Sequence, residues 1–122
     1  MKCGRKELVV LSSILMCALL AGGLLFKVVL ESYSEGGDRA GCILNLRNIQ
    51  QAVRAYHGIN KMDVGDPLEA EAVFDRFFNR VPRCNAGGIY TYINRVPKEG
   101  ELYCICSHAE TKSHVPEDYS DW

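Results

Sequence analysis

Six cysteines and three histidines are the residues of this 122-residue chain best suited to chemistry. Thiols pair as disulfides in oxidising compartments, and thiolates and imidazoles together are the usual ligands of zinc. Most of these residues follow position 40: Cys42, Cys84, Cys104 and Cys106, with His57, His108 and His114. Four cysteines permit three fully paired connectivities, and the residues alone do not choose among them.

A metal site is the alternative chemistry for the same part of the chain. Tetrahedral zinc needs four donors, and the candidates are Cys84, Cys104, Cys106, His108 and His114. The chain lacks the Cys-x2-Cys spacing of a zinc knuckle, and thiols outside the cytoplasm tend to oxidise. The sequence therefore predicts neither a resident metal nor another cofactor, with a Cys/His zinc-binding module as the less favoured alternative.

The sequence indicates no catalytic site. A general base needs a pocket and an orienting partner, whereas the histidines here fall at a predicted helix end and in a polar tail. From Glu31 onward 10 Lys and Arg stand against 14 Asp and Glu, so no basic stripe is available to neutralise phosphates. We expect a non-enzymatic protein with neither a small-molecule substrate nor a nucleic-acid partner.

An apolar segment near the N-terminus predicts a membrane helix. Of the 23 residues in 8–30, 18 are apolar, and 19 consecutive residues between Glu7 and Lys27 carry no charge. As a helix rising roughly 1.5 Å per residue, that uncharged run extends about 28 Å, close to the thickness of the hydrocarbon core. The lipid bilayer is therefore an expected partner of this segment.

The charges that flank the apolar segment predict its orientation. Lys2, Arg5 and Lys6 precede it and acidic residues follow it, so the positive-inside rule places the N-terminus in the cytoplasm. The expected division is a cytoplasmic N-terminus (1–7), a single transmembrane helix (8–30) and an extracytoplasmic domain (31–122) with a polar, loosely ordered tail (107–122). A cleaved secretory signal is the alternative, with a weak site at residues 32–34.

Periodicity and turn signals predict the elements of the polar domain. Gly36-Gly37, within Glu35–Asp38, predicts a break or kink after the membrane segment, and an apolar face then returns at Cys42, Leu46, Ile49, Val53 and Tyr56. Asp66 as N-cap and Pro67 at the first helical position predict a second helix over 67–79. Two β-rich runs, 89–93 and 101–106, predict a hairpin.

Several of these motifs together resemble the small type II secretion or prepilin-like (pseudopilin) proteins. The resemblance covers Cys42 to about His108 and consists of an Asn45-Leu46-Arg47 helix, an Asp66-Pro67 helix start, a Cys84-Asn85-Ala86-Gly87-Gly88-Ile89-Tyr90 strand and a closing Cys106-Ser107-His108. The N-terminus departs from the family pattern, because Gly4 is followed by Arg5 and Lys6, and two residues are missing before Glu7. Asn85 also replaces the proline that commonly follows the first hairpin cysteine.

The resemblance implies a pilin-like α+β fold: a long N-terminal transmembrane helix, a short second helix and a C-terminal β-hairpin clamped by a Cys84–Cys106 disulfide, for which Cys104 is the competing partner. It implies a structural subunit of a type II secretion or type IV filament-like system in the bacterial inner membrane. Glu7 would assist assembly with sister subunits through the N-terminal helix, and Gly4 would be the processing site. The alternative for Glu7 is an interfacial charge at the start of the membrane helix, without a role in assembly. The shortened N-terminal motif keeps open a second function, a non-polymerising, membrane-anchored binding module.

Overall fold

The computed structural model describes residues 4–122, without the side chains of residues 5–7. Its elements are helix α1 (Arg5–Asn60), helix α2 (Ala70–Phe77) and strands β1 (Tyr90–Tyr92) and β2 (Cys104–Cys106). The strands pair antiparallel, with Tyr90 opposite Cys106. This order confirms the predicted α+β class, with a long first helix, a short second helix and a hairpin. Positions 1–3 of the predicted cytoplasmic segment lie outside the described residues.

The chain divides into two compact units, the first ending at Glu35 and the second comprising Gly36–Trp122. Within the first unit, every large apolar side chain of residues 8–30 is at least 51% exposed. By length and composition this part of α1 could cross a membrane, a property that signal sequences share. Such an apolar surface is compatible with a membrane anchor, because lipid would cover the side chains that the protein leaves bare.

The break expected at Gly36 and Gly37 is absent, since α1 continues through both glycines. A glycine in a helix costs about 1 kcal/mol relative to alanine, but it can still adopt helical backbone angles. Extending an existing helix is far easier than nucleating a new one, so strong helix formers on both sides carry the helix across the pair. Of the two predicted outcomes, the break is wrong, because that expectation weighed the two glycines without this cooperativity.

The predicted apolar face of the second half of α1 is confirmed. Cys42, Leu46, Ile49 and Val53 are all 2% exposed or less, and Tyr56 packs beside them. The main core forms where this face meets α2 and the hairpin, and its other members include Leu68, Val73, Phe74, Val96, Tyr103 and Cys104. The spacing of four and three residues therefore places one side of the helix against the rest of the domain.

A buried glutamine connects α1 to the segment that leads into β2. The Gln50 side chain is 2% exposed. Its Nε2 donates to the carbonyl oxygen of Glu101 at 2.9 Å, and its Oε1 accepts from the backbone N–H of Tyr103 at 2.9 Å. Buried polar groups are costly when they have no hydrogen-bond partner. This one side chain provides a partner for two backbone groups that would otherwise be left unpaired.

Replacing Gln50 with alanine is expected to lower the free energy of unfolding by about 2 kcal/mol, because it leaves the buried Tyr103 N–H unpaired. Urea unfolding of the detergent-solubilised chain measures the change. Gln51→Ala is the matched control, since Gln51 is exposed on the same helix. An equal loss in both variants would contradict the bridging role of Gln50.

Helix α2 begins later than predicted. Asp66 and Pro67 were expected to open it, but Glu69 occupies the N-cap position and the helix starts at Ala70. The carbonyl of Asp66 instead accepts from the N–H of Val96 at 2.8 Å, and Pro67 forms a β-bridge with Arg95. Asp66 and Pro67 therefore adopt extended backbone and pair with residues 95–96. This pairing outweighs the local signal for a helix start.

The C-terminal segment packs against α1, whereas the sequence predicted a polar, loosely ordered tail. His114 is 2% exposed. The guanidinium of Arg39 donates to the carbonyl of Ser113 at 3.0 Å, and that of Arg54 donates to the carbonyl of Asp121 at 3.1 Å. Polar composition is compatible with order when arginines on a neighbouring helix supply donors to the backbone.

Candidate functional site

Three cysteines and one histidine converge beneath the hairpin. The Sγ atoms of Cys42, Cys84 and Cys106 and a ring nitrogen of His114 all lie within 4.8 Å of one another, and all four residues are buried. We refer to these four residues as the sulfur–histidine cluster. They come from α1, the loop before β1, strand β2 and the C-terminal segment. The cluster therefore joins four separate parts of the chain.

Asn45 and Tyr90 position Cys42 and Cys84 relative to each other. Asn45, one turn after Cys42 on α1, donates through Nδ2 to the carbonyl of Arg83 at 2.9 Å and to the Tyr90 hydroxyl at 3.3 Å. The Tyr90 hydroxyl in turn donates to Cys42 Sγ at 3.4 Å. These bonds fix the loop that carries Cys84 against the helix that carries Cys42.

Similar turns follow Cys84 and Cys106. The N–H of Gly87 donates to the carbonyl of Cys84 at 3.1 Å, and the N–H of Ala109 donates to the carbonyl of Cys106 at 3.0 Å. In each turn a backbone amide two residues after the cysteine also points at its sulfur: Ala86 at Cys84, and His108 at Cys106 at 3.5 Å. Each turn therefore presents its sulfur together with an N–H donor.

Gly87 and Gly88 are each required by the structure, for different reasons. Gly87 has φ +79°, a left-handed conformation that most side chains disfavour. At Gly88 a Cβ would lie 2.6 Å from Cys106 Sγ and 3.1 Å from Cys84 Sγ. The first glycine permits the turn, and the second lets the backbone approach both sulfurs.

The surroundings shift the pKa values of Cys42 and Cys84 in opposite directions. Burial raises the pKa of Cys42 to about 12, against the opposing effect of the hydrogen bond from Tyr90. Burial would also raise the pKa of Cys84, but the N–H groups of Gly88 and Ala86 favour the thiolate, and the net result is a lowered pKa. Of these two thiols, Cys84 therefore loses its proton more readily.

The surroundings of His114 favour its neutral form. Burial is the main cause that lowers the pKa of His114, with the charges of His108 and Lys112 adding to it. Its Nδ1 lies 3.3 Å from Cys84 Sγ, within hydrogen-bonding distance for sulfur. A neutral imidazole has a lone pair available, which is the form that binds metal ions.

His108 lies at the edge of the cluster. Its ring contacts that of His114 edge to face at 5.4 Å between centroids. Among the described residues, its Nδ1 is the buried side-chain polar atom without a hydrogen-bond partner. A Cβ at Gly88 would lie 3.3 Å from this nitrogen, so His108 Nδ1 belongs to the same crowded region as the sulfurs of Cys84 and Cys106.

The structure brings Cys84 and Cys106 together, as a disulfide would require, but both are free thiols. The disulfide implied by the resemblance therefore stays a prediction. Cys104, its proposed competitor, is buried in the main core instead, whereas Cys42, Cys84 and Cys106 form a separate buried group. Burial raises the pKa of Cys104 to about 12, as for an inert buried thiol.

The two N-terminal site residues lie at the start of α1. Gly4 directly precedes the helix, and its carbonyl accepts from the N–H of Leu8 at 3.4 Å. Glu7 is in the first turn of α1, and its side chain is not among those described.

Sequence reasoning included three members of the cluster among the candidate zinc donors but missed Cys42, whose burial it did predict. Cys42 belongs to an apolar helix face, so its periodicity is that of a core residue and conceals its sulfur neighbours. The spacings between the four residues match no short metal-binding motif. The only available signal was the residue types themselves.

No protein-family model, no curated protein and no solved structure matches this chain.

Proposed function

We propose that this chain is a membrane-anchored, pseudopilin-like structural subunit of a type II secretion or type IV filament-like system. The proposal combines the motif resemblance over residues 42–108 with one structural observation that carries it. That observation is the bare apolar surface of α1 between residues 8 and 30, where every large apolar side chain is at least 51% exposed. Such a surface needs lipid or neighbouring helices to cover it.

In this function the same helix serves two environments in turn. The bilayer of the inner membrane covers the apolar surface while the subunit is stored, with the N-terminus in the cytoplasm and the domain outside. On assembly, sister helices replace the lipid. Glu7 compensates the positive N-terminus of a neighbouring subunit, an attraction that is strong where water is excluded.

The folded domain fits a structural role. The amphipathic half of α1 packs against α2 and the hairpin, and the C-terminal segment is tied back to α1 through Arg39 and Arg54. A pilin-like domain has this combination of a helix backed by a small sheet. In the resembling family a disulfide fastens the hairpin, and here the sulfur–histidine cluster occupies the corresponding place.

In-cell crosslinking tests this function. A photo-reactive residue placed at Leu15, which is 63% exposed on α1, is expected to link two copies of the chain. Glu7→Ala should lower the yield of linked dimer severalfold, because the compensating charge at the membrane is lost. Glu31→Ala is the matched control, since Glu31 is an exposed carboxylate beyond the apolar segment.

Mass spectrometry of the purified protein is a second, independent test of this function. Loss of residues 1–4 would show processing after Gly4 and supports peptidase-dependent assembly. An intact N-terminus together with the absence of crosslinked dimers would contradict the filament function.

A second function is favoured by one specific observation, the shortened segment between Gly4 and Glu7. A chain that is not processed keeps its basic N-terminus and does not enter a filament. It would then act as a non-polymerising, membrane-anchored binding module. An intact N-terminus, membrane retention and no crosslinking between copies are the results expected for this second function.

A further inference from the structure

We propose that Cys42, Cys84, Cys106 and His114 bind one structural zinc ion. Their donor atoms form a compact group, with all four atoms within 4.8 Å of one another and Cys84 Sγ only 3.3 Å from His114 Nδ1. Zinc–sulfur bonds of about 2.3 Å and zinc–nitrogen bonds of about 2.0 Å place tetrahedral donors about 3.5 to 3.8 Å apart. The observed donors need to approach by about 1 Å at most to reach that geometry.

The residue types favour zinc over other biological cations. Three thiolates and one imidazole form a soft donor set of the Cys3His type, which is a structural zinc set, whereas calcium and magnesium prefer oxygen ligands. All four residues are buried, so no position is left open for water or a substrate. A closed shell of protein ligands indicates a structural site and not a catalytic one.

The surroundings of each sulfur supply the outer hydrogen bonds that zinc-bound thiolates use. Cys42 accepts from the Tyr90 hydroxyl at 3.4 Å, and Cys106 accepts from the N–H of His108 at 3.5 Å. The backbone N–H groups of Gly88 and Ala86 favour the thiolate of Cys84. Such donors stabilise the charge of a thiolate and orient it toward the metal. The cluster thus has both an inner ligand set and an outer one.

Binding releases three protons. The zinc ion replaces the hydrogens of the three thiols, which leave to solvent, and the neutral imidazole gives its lone pair without losing a proton. No oxidation occurs, and the complex carries one net negative charge. Arg39, whose guanidinium holds the carbonyl of Ser113 beside His114, supplies a positive charge nearby.

The zinc site and the Cys84–Cys106 disulfide exclude each other, because the disulfide removes two of the three thiolates. Forming it takes two electrons and two protons from the pair and therefore needs an external oxidant. Zinc needs only the thiols that the structure already contains. The same purified protein can thus be examined for both states.

The decisive experiment measures metal content. The full chain, purified in detergent without chelator or reductant, is expected to contain one zinc per chain by inductively coupled plasma mass spectrometry. Exchange with cobalt(II) should produce the intense visible absorption of a tetrahedral cobalt–thiolate complex. Cys42→Ser, Cys84→Ser, Cys106→Ser and His114→Ala should each lose most of the zinc.

Matched variants keep this result interpretable. Cys104→Ser removes a buried thiol from the same strand, and His57→Ala removes a histidine outside the cluster; both should retain one zinc. A wild-type protein that contains no zinc, whether its thiols are free or Cys84 and Cys106 are oxidised to a disulfide, would overturn the proposal. Equal zinc loss in Cys104→Ser, or retention in His114→Ala with loss in His108→Ala, would overturn the ligand assignment.

The metal content of the isolated chain is independent of whether it assembles. Zinc in a chain that keeps an intact N-terminus and forms no crosslinked dimers would uphold the site and contradict the filament function. Crosslinked dimers without zinc would support the filament function and overturn the zinc site.

Discussion

Phe74→Ala is expected to lower the free energy of unfolding by about 3 to 5 kcal/mol, the range found when a buried aromatic side chain is removed. Phe74 is 5% exposed. Its ring contacts Phe78 edge to face at 5.6 Å and Tyr92 at 5.5 Å, so it connects α2 to the hairpin. Each such aromatic pair adds about 0.5 to 1.5 kcal/mol beyond the area that is buried.

The effect should be severe because α2 has few other attachments. The helix has eight residues, and its buried members are Ala70, Val73 and Phe74. Domains of this size have a total stability of only about 5 to 15 kcal/mol. Losing the largest of the three buried side chains is therefore expected to detach the helix before the rest of the domain unfolds.

Fluorescence of Trp122, the single tryptophan, offers a measurement during urea unfolding of the chain in detergent. The guanidinium of Arg47 on α1 lies 5.8 Å from the centre of its ring, so unfolding changes its surroundings. Phe77→Ala is the matched control, because Phe77 is 39% exposed on the same helix. A comparable loss in the two variants would show that the contacts of Phe74 are not what holds α2.

Gly88→Ala is expected to destabilise the domain by about 3 kcal/mol and to reduce its zinc content severalfold. The new methyl group would lie 2.6 Å from Cys106 Sγ, closer than carbon and sulfur can approach. Relief requires the backbone or the sulfur to move, and overpacking of this kind costs about 1 to 3 kcal/mol. Because Cys84 Sγ lies 3.1 Å from the same position, the movement disturbs two ligands together.

Gly41→Ala provides the control with the same chemical change. Gly41 is on α1 beside Cys42, and its new methyl group would meet only the side-chain nitrogen of Asn85 at an ordinary 3.6 Å. Alanine favours a helix by about 1 kcal/mol over glycine, so Gly41→Ala should be neutral or stabilising. Urea unfolding and zinc analysis of both variants compare them directly, and wild-type behaviour of Gly88→Ala would refute the close approach.

Local patterns predicted the parts of this fold that depend on neighbours in sequence. The apolar face from Cys42 to Val53 was predicted correctly because helical spacing reports directly which side of a helix is buried. The strands were found from β-branched and aromatic runs. The start of α2 was missed because Asp66 pairs with Val96, a contact between segments that no local signal contains.

The candidate site was harder to predict for the same reason. His114 was expected in a loosely ordered tail, and its burial depends on contacts with α1 that include the bond from Arg39 to Ser113. The helical spacing of Cys42 is that of a core residue, and Cys42 is indeed buried. The spacing does not show which sulfurs lie beside it in the fold. Because the four residues come from distant segments, their separations in the sequence form no recognisable metal-binding motif.

The attachment of the C-terminal segment has a consequence for how the domain is made. Arg39 and Ser113 are 74 residues apart in the chain, so their bond closes almost the whole domain into one loop. Contacts between such distant residues form slowly and late. The chain is synthesised from its N-terminus, so Cys42 and Cys84 are made before His114. His114 therefore joins the cluster after the three cysteines have been made, once its segment packs against α1.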